Sequence, residues 1–340
     1  MITKEQFEKL IGKKLIEENG KLIYKGNLDL EGRKDITELP NNFKVLGYLD
    51  LCNTGVTKLP KGLEVEKWLC ISLTEIEELP EDTKFGSNLY IEGMKKPFSF
   101  PEVVNVDGHF DCVHTTIKRM PEEIYVEKSC DFSYSKFDKL PKVMELVSSL
   151  FVNNSSIKEM PEGLKEVYDD LNISHTKVTK LNDNLVLYGG LDLSNTLIKD
   201  LSEGVIIGGE LCLNNINLKD YSNLHKHCSR FRVTEEKYEE IKDTLAKHSK
   251  EKTWYNEIVV TFEPNYKGAY LFENENGKYI KADNIFGKIV EQKDNVYLIQ
   301  IEDWTDSIYL VTDGEGNWVN EYTLEKAKAK ADLLTKTSKG

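Results

Sequence analysis

The chain has 340 residues, of which 39% are hydrophobic and 30% are charged, and its formal net charge is −13. This length and composition are typical of a folded chain with a sizeable core and exclude the disordered class. The acidic excess disfavours a protein that neutralises nucleic-acid phosphates, so we expect no direct nucleic-acid binding.

The apolar patterning and the cysteines predict the compartment. No apolar run approaches the roughly 18 residues needed to cross a bilayer, so we expect no membrane span. The first twenty residues lack the apolar stretch and the small-residue cleavage site of a secretory signal. The six cysteines include no close pair, which favours free thiols in a reducing compartment. These observations together predict a cytoplasmic protein.

Residues 1–26 are predicted to form an N-terminal cap. Phe7, Leu10 and Ile11 are spaced as one face of a helix. We expect this apolar face to cover the first turn of the repetitive region that follows.

A repeat of 20 or 21 residues runs through residues 27–222. Its most regular position is apolar and is usually followed by proline. This position is occupied by Leu39, Leu59, Leu79, Phe100, Met120, Leu140, Met160, Leu181, Leu201 and Tyr221. Proline fixes φ and donates no backbone hydrogen bond, so it suits a wall that does not depend on a strand ladder. A fixed period of this length indicates stacked structural units.

Each repeat also contains one short alternating segment, in which two apolar residues flank a variable one. Examples are Leu49/Leu51, Leu89/Ile91 and Leu191/Leu193. This period of two predicts a strand with one buried face. One repeat cannot bury its apolar side alone, so the copies must stack into a solenoid with one parallel sheet of about ten strands. A further apolar row lies four residues upstream of each strand, as at Val45, Val65 and Val106.

A parallel β-helix with several strands per turn is the alternative architecture. Only one strongly alternating segment per repeat is visible in the sequence, which favours the single-sheet solenoid.

The consensus apolar-x-x-x-L-x-L-x-x-T-x-I-x-x-L-P resembles a leucine-rich repeat of the short, 20-residue kind found in bacteria and bacteriophages. The chain departs from that family by carrying Thr or Ser, as at Thr54, Thr74 and Ser135, where an asparagine ladder normally stands. A hydroxyl at this point can bond the backbone of the turn. The resemblance implies a leucine-rich-repeat-like, right-handed α/β solenoid followed by a small α+β domain.

Residues 223–340 are predicted to form that α+β domain. Thr234 is a candidate N-cap of a helix whose inner face carries Tyr238, Ile241 and Leu245. Several alternating segments separated by turn residues follow, which predicts a strand-rich region. A closing helix is expected to face inward with Leu324, Ala327, Ala331 and Leu334. Residues 309–334 resemble a tail segment of phage-type leucine-rich-repeat proteins.

The candidates for catalysis or metal binding are weak. His225, His227 and Cys228 lie close together, but a structural zinc site needs four ligands, usually as two spaced pairs. His109 and Asp111 offer an acid–base pair, and we interpret them as polar residues on the strand face. The sequence therefore predicts no enzyme, no cofactor and no metal ligand.

The strand face carries the most informative pattern. Its 27 predicted outward positions contain no Lys or Arg, although the chain holds 45. Exposed Trp and Tyr on a rigid sheet are residue types that anchor interfaces. The predicted partner-binding residues are Tyr48, Asp50, Trp68, Tyr90, Asp111, Asp131, Phe151 and Asp192.

These residues predict a non-enzymatic module that binds a protein partner with a basic or neutral surface. The phage-like resemblance implies an inhibitor or decoy of a host defence protein, acting in a bacterial cytoplasm. The alternative is an enzyme or small-molecule binder with its site in residues 223–340. The partner's identity and the oligomeric state stay open.

Overall fold

The structure is a computed structural model that describes residues 2–146, 148–254, 257–262, 269–282, 285–294, 296–302, 307–312, 318–321 and 323–337. The fold is a parallel β-solenoid of about ten turns, followed by a strand-rich C-terminal region. The chain divides into two compact units. The first comprises residues 1–164 and 175–177, and the second comprises residues 165–174 and 178–340.

The chain begins with the helix Lys4–Ile11, as predicted. Thr3 accepts a hydrogen bond from the Gln6 backbone N–H, and the Gln6 side chain accepts one from the Thr3 backbone, so the first turn has a capping box. Phe7 is fully buried, and its ring meets the Phe43 ring edge-on at 5.4 Å. The helix therefore covers the first turns of the solenoid.

One wall of the solenoid consists of two-residue parallel strands. In the first unit these are Leu28–Asp29, Leu49–Asp50, Leu69–Cys70, Leu89–Tyr90, Phe110–Asp111, Cys130–Asp131 and Leu150–Phe151. In the second unit they are Leu171–Asn172, Leu191–Asp192 and Leu211–Cys212. Neighbouring strands pair residue for residue in one register, so each slot of the repeat forms a row across the sheet.

A second wall also contains strands. In the first unit these are Ile16–Glu18, Lys21–Tyr24, Phe43–Val45, Glu64–Val65, Lys84–Phe85, Val103–Val106, Glu123–Val126 and Val143–Leu146. In the second unit they are Glu166–Val167, Val186–Leu187 and Ile206–Ile207. Two turns add a short third pair, Phe98–Ser99 with Ile117–Arg119.

The solenoid prediction is confirmed, but its turns hold more strand than we expected. The upstream apolar row was not recognised as a strand, although several repeats alternate there, as Leu63/Val65 and Val104/Val106 do. Multiple strands per turn are the feature that the alternative β-helix architecture predicted. No helix interrupts the described turns between residues 27 and 222.

The core lies between the two walls. The apolar pairs that flank each variable strand residue point inward and are almost completely shielded from solvent. Leu49, Leu51, Leu150, Val152 and Leu193 are all 0% exposed. This burial confirms the predicted orientation of the strands.

Every turn from residue 53 to residue 215 has a left-handed residue just after the strand. Its φ lies between 53° and 59° at Asn53, Leu73, Gly93, His114, Tyr134, Asn154, His175, Asn195 and Asn215. Gly and Asn tolerate this conformation, whereas Leu73 and Tyr134 are strained in it. The repeat therefore requires a backbone conformation that no single residue type marks in the sequence.

The Thr/Ser row follows this left-handed residue and binds the buried backbone, as predicted. Thr54 donates to the Leu51 carbonyl at 2.7 Å, and Ser135 donates to the Cys112 carbonyl at 2.6 Å. Ser155 is the exception, because its buried hydroxyl has no hydrogen-bond partner. These hydroxyls stabilise the turn without the asparagine ladder of the resembled family.

The C-terminal region starts by extending the sheet. The strand Arg230–Thr234 pairs parallel to Leu211–Cys212 and antiparallel to Glu257–Phe262, which in turn pairs with Ser249–Trp254. A short 3-10 turn, Leu224–Lys226, comes before this strand.

The helix Glu235–Leu245 follows that strand. Thr234 caps it by accepting a hydrogen bond from the Lys237 backbone N–H at 3.3 Å, as predicted. Ile241 and Leu245 are buried on its inner face, which confirms the predicted orientation.

Six antiparallel strands then follow in chain order: Ala269–Asn274, Gly277–Ala282, Ile285–Lys293, Val296–Glu302, Ser307–Thr312 and Trp318–Glu321. Phe272, Tyr279 and Phe286 pack against Val186 and Ile206 of the last solenoid turns in the same unit. This sheet therefore uses three aromatic side chains to cover the solenoid wall.

The closing helix Leu324–Thr337 packs on the six-stranded sheet through Ala327, which is fully buried. Leu324 was expected to face inward, but it is 38% exposed. Leu324 is the first residue of the helix. Residues 313–317 and 322 of the phage-like segment lie outside the described residues.

Each helix in the described part of the chain is too short or too polar to cross a bilayer.

Candidate functional site

The predicted site residues occupy the outward slots of the first wall. The seven that belong to the first unit, from Tyr48 to Phe151, are all half-buried. Asp192 occupies the corresponding slot in the second unit and is also half-buried. The repeat spacing therefore placed these residues correctly at outward positions of the strands, whereas their role in partner binding stays a prediction.

Three aromatic side chains form a continuous stack on this face. The Tyr48 and Trp68 rings lie parallel, with centroids 4.0 Å apart and planes 7° apart. The Tyr90 ring meets Trp68 edge-on at 5.9 Å. Asn88 donates a hydrogen bond to the Tyr90 hydroxyl at 2.6 Å. We call Tyr48, Trp68 and Tyr90 the aromatic patch.

The aspartates have a structural role that the sequence did not predict. Asp50 accepts a hydrogen bond from the Cys52 backbone N–H at 2.8 Å, and Asp131 accepts one from the Ser133 N–H at 2.7 Å. Such a bond to the residue two positions later closes an Asx turn. These aspartates therefore stabilise the ends of the strands that carry them, as well as making the face negative.

Asp111 has a raised pKa. Burial raises its pKa, and the charge of Asp131, its partner in the neighbouring strand, adds to the rise. The hydrogen bond from the Val113 N–H opposes this change. Phe151 follows Asp131 in the same row, so an aromatic side chain adjoins the acidic pair.

Two thiols lie beside Asp50, and sequence reasoning did not combine them. One oxygen of Asp50 and the sulfurs of Cys52 and Cys70 all lie within 4.8 Å of one another. Burial raises the pKa of Cys70 to about 12, and burial together with the charge of Asp50 raises the pKa of Cys52. A high pKa disfavours the thiolate, so neither residue is a suitable nucleophile on its own.

Two further carboxylates lie next to Asp50. The carboxylates of Asp29 and Glu31 lie within 4.8 Å of that of Asp50. The repeat register would have revealed this arrangement, because Asp29, Asp50 and Cys70 occupy the same slot of successive strands.

The histidine candidates are held by local contacts. His225 Nδ1 lies 2.9 Å from the Ser222 carbonyl oxygen, and His227 Nδ1 lies 2.8 Å from the Val205 carbonyl oxygen. Burial lowers the pKa of both rings. Cys228 is fully buried and contacts the Leu224 carbonyl. These contacts fit a packed junction between strand and turn.

His109 also has a lowered pKa, caused by burial and then by the charge of Lys128. Its backbone N–H donates to the Asn88 side chain at 2.9 Å. The neutral ring next to Asp111 fits a polar position on the strand face better than an acid–base pair with a site of its own.

Comparisons of the chain with protein-family models, with curated proteins and with solved structures found no match.

Proposed function

We propose that the chain is a non-enzymatic, cytoplasmic protein-interaction module of leucine-rich-repeat-like type, which binds a protein partner through the N-terminal part of its strand face. The observation that carries this proposal is the aromatic patch. Three aromatic rings from successive strands stack on a face whose backbone is fixed by a parallel ladder.

Aromatic side chains favour binding for two physical reasons. They provide a large contact area, and they lose few rotamers on binding, so their ordering cost is small. Stacking of Tyr48 on Trp68 fixes both rings before a partner arrives. A pre-organised aromatic anchor of this kind can contribute about 2 kcal/mol or more to an interface.

The charge of the face favours a partner with a basic or neutral surface. Asp111 and Asp131 lie side by side in register, and Glu92 adds to the negative field at Asp111. Each aspartate uses one oxygen for its turn, so we expect these residues to steer association more than to form the central contact.

An inhibitor or decoy is the form of this function that the acidic face favours. A negative surface can cover a basic surface that its partner uses to bind nucleic acid. A bacterial defence protein that binds nucleic acid is a partner of this kind. The resemblance of the repeat to those of phage proteins is the basis for this part of the proposal.

The test is a quantitative capture of partners from lysate of the native host cells. We expect Trp68→Ala to weaken binding of the recovered partner by more than tenfold without loss of fold. Tyr134→Ala is the matched control, because this Tyr is 51% exposed and lies at a turn outside the aromatic patch. Equal binding by wild type and Trp68→Ala would move the interaction elsewhere, including to residues 223–340.

A further inference from the structure

The thiols beside the aromatic patch form a second feature of the strand face. Cys52, Cys70 and Asp50 each contribute one potential ligand atom to a group in which every pair of atoms lies within 4.8 Å. Asp50 also belongs to a second group, in which its carboxylate lies within 4.8 Å of those of Asp29 and Glu31. Three side chains from two successive turns therefore surround one position, and further carboxylates lie next to Asp50.

The backbone holds these ligands in place. Asp50 and Cys70 are direct partners in the parallel ladder, and Cys52 follows Asp50 by two residues on the same face. The Cys52 backbone N–H donates to Asp50 Oδ1 at 2.8 Å, which orients the carboxylate through one oxygen and leaves the other oxygen able to bind a cation. Such outer contacts are the usual way in which proteins orient metal ligands.

The separations suit a tetrahedral ion. With Zn–S distances of about 2.3 Å and Zn–O distances of about 2.1 Å, ligand atoms lie about 3.5–3.8 Å apart in a tetrahedron. The three atoms present lie within 4.8 Å of one another, so each pair exceeds the separation in a bound tetrahedron by about 1 Å at most. Two sulfurs with one or two carboxylate oxygens select a thiophilic cation over calcium or magnesium.

The surroundings also favour a cation. Negative charges of Asp50, Glu31 and Glu92 all act on Cys52. The 27 outward positions between Tyr48 and Asn214 contain no Lys or Arg. Cys70 is only 8% exposed, so one side of the position is shielded from water.

We propose that Asp50, Cys52 and Cys70 bind a thiophilic divalent cation of the zinc class, and that the exposed Glu31 side chain turns towards the ion as the fourth ligand. Binding converts the two thiols to thiolates and releases two protons to solvent. The site does not depend on the proposed protein partner.

The chain contains its own control for this site. Asp192 and Cys212 are ladder partners in the second unit, as Asp50 and Cys70 are in the first. Ser194 stands in the slot of Cys52, and Asp192 accepts its backbone N–H at 2.8 Å. This later set has the same backbone contacts but only one thiol, so we expect it to contribute no tight metal site.

The experiment titrates the reduced full-length protein with Co²⁺ and then displaces the cobalt with Zn²⁺. We expect one Co²⁺ per chain, with a sulfur-to-cobalt charge-transfer band and the strong visible bands of a tetrahedral site. Cys52→Ser and Cys70→Ser should each abolish the charge-transfer band or weaken it strongly. Their zinc affinity should fall by more than the roughly 10–100-fold that loss of an outer-shell partner costs.

Two further variants keep the test decisive if a cysteine variant fails to fold. Asp50→Asn retains an oxygen for the Cys52 N–H and therefore preserves the turn, and Glu31→Gln changes an exposed side chain. Both should weaken zinc binding by at least about tenfold. Cys212→Ser should keep the wild-type spectrum and stoichiometry.

The proposal would be overturned by a wild-type protein without the sulfur-to-cobalt band or by a band that disappears equally in Cys212→Ser. It would also be overturned by zinc binding that neither Asp50→Asn nor Glu31→Gln weakens. A Cys52–Cys70 disulfide formed under the same reducing conditions, detected by mass, would also contradict it.

Discussion

The slots around Asp50 in the first unit and those around Asp192 in the second unit have the same backbone hydrogen bond and different side chains. In the first unit, Asp50 closes its turn on the Cys52 N–H at 2.8 Å, and in the second unit Asp192 closes its turn on the Ser194 N–H at 2.8 Å. The first set is surrounded by thiols, carboxylates and stacked rings. The comparison teaches that the repeat determines the turn, and that the variable slots determine what the turn can bind.

The slots before each strand show the same contrast. Tyr48 and Trp68 stack in the first unit, whereas the corresponding slots of the second unit hold Gly190 and Glu210. Glu210 forms an ion pair with Arg232 at 2.7 Å, so the chain itself partly neutralises this negative side chain. The aromatic contact area of these slots therefore lies in the first unit.

The largest expected effect is on the free energy of unfolding, and it tests the solenoid core that supports both groups of slots. Leu150 is fully buried, so Leu150→Asp places a charge without a partner in the core and should cost several kcal/mol, about 3 or more. Asn153→Asp is the matched control, because this half-buried outward residue accepts a hydrogen bond from Ser133 that Asp can also accept. Chemical denaturation measures both, and an unchanged stability for Leu150→Asp would remove the assigned register.

The hydroxyl row offers a sharper comparison between identical slots. Ser135 donates to the buried Cys112 carbonyl at 2.6 Å, whereas the buried Ser155 hydroxyl has no partner. Ser135→Ala should destabilise the fold by about 1–3 kcal/mol, and Ser155→Ala should be neutral or stabilising. Equal losses of unfolding free energy in the two variants would show that the slots are not distinguished by their hydrogen bonds.

The left-handed row allows a third comparison. Leu73 has a φ of 57° and is 42% exposed, whereas Asn154 has the same φ with a residue type that tolerates it. Leu73→Gly should therefore raise stability by up to about 1 kcal/mol, and Asn154→Gly should change it little. Thermal melting of both variants is the measurement, and a loss of stability in Leu73→Gly would mean that the Leu73 side chain contributes more than its strained backbone costs.

The smallest expected effect concerns pH. Burial raises the pKa of Asp111 in the folded state, so folding is favoured when this carboxyl is protonated. Its contribution to stability should fall as pH rises from the unfolded pKa through the folded one, and remain unfavourable at neutral pH. Asp111→Asn keeps an oxygen for the Val113 N–H and should stabilise the fold at pH 7 but not at pH 3. Denaturation at the two pH values tests this, and an equal effect at both would contradict it.

The solenoid was predictable from sequence because its period is strict. The apolar pairs recur every 20 or 21 residues, and a parallel ladder converts that period into rows. The second wall was not predictable in the same way. Leu63/Val65 and Val104/Val106 flank one variable residue and are buried, but Thr83 and Phe85 form no such apolar pair, so the signal is less regular there.

Parts of the site escaped the sequence for a different reason. The aromatic patch follows from the slot register, since Tyr48, Trp68 and Tyr90 belong to adjacent repeats. The group around Cys52 and Cys70 mixes two slots of different turns, and it has no local motif. The turn bonds of the aspartates were missed as well, because an Asx turn depends on the backbone conformation that the left-handed residue creates.

The central claim is that the aromatic patch of the first unit anchors a protein partner and that the neighbouring aspartates steer it. The most direct measurement is the association and dissociation kinetics of the recovered partner, at low and high salt, with wild type, Trp68→Ala, Tyr134→Ala and the double variant Asp111→Asn with Asp131→Asn. We expect Trp68→Ala to speed dissociation more than tenfold, Tyr134→Ala to match wild type, and the double variant to slow association and flatten its salt dependence. Kinetics for Trp68→Ala and the double variant that match wild type would contradict the assignment of function to this face.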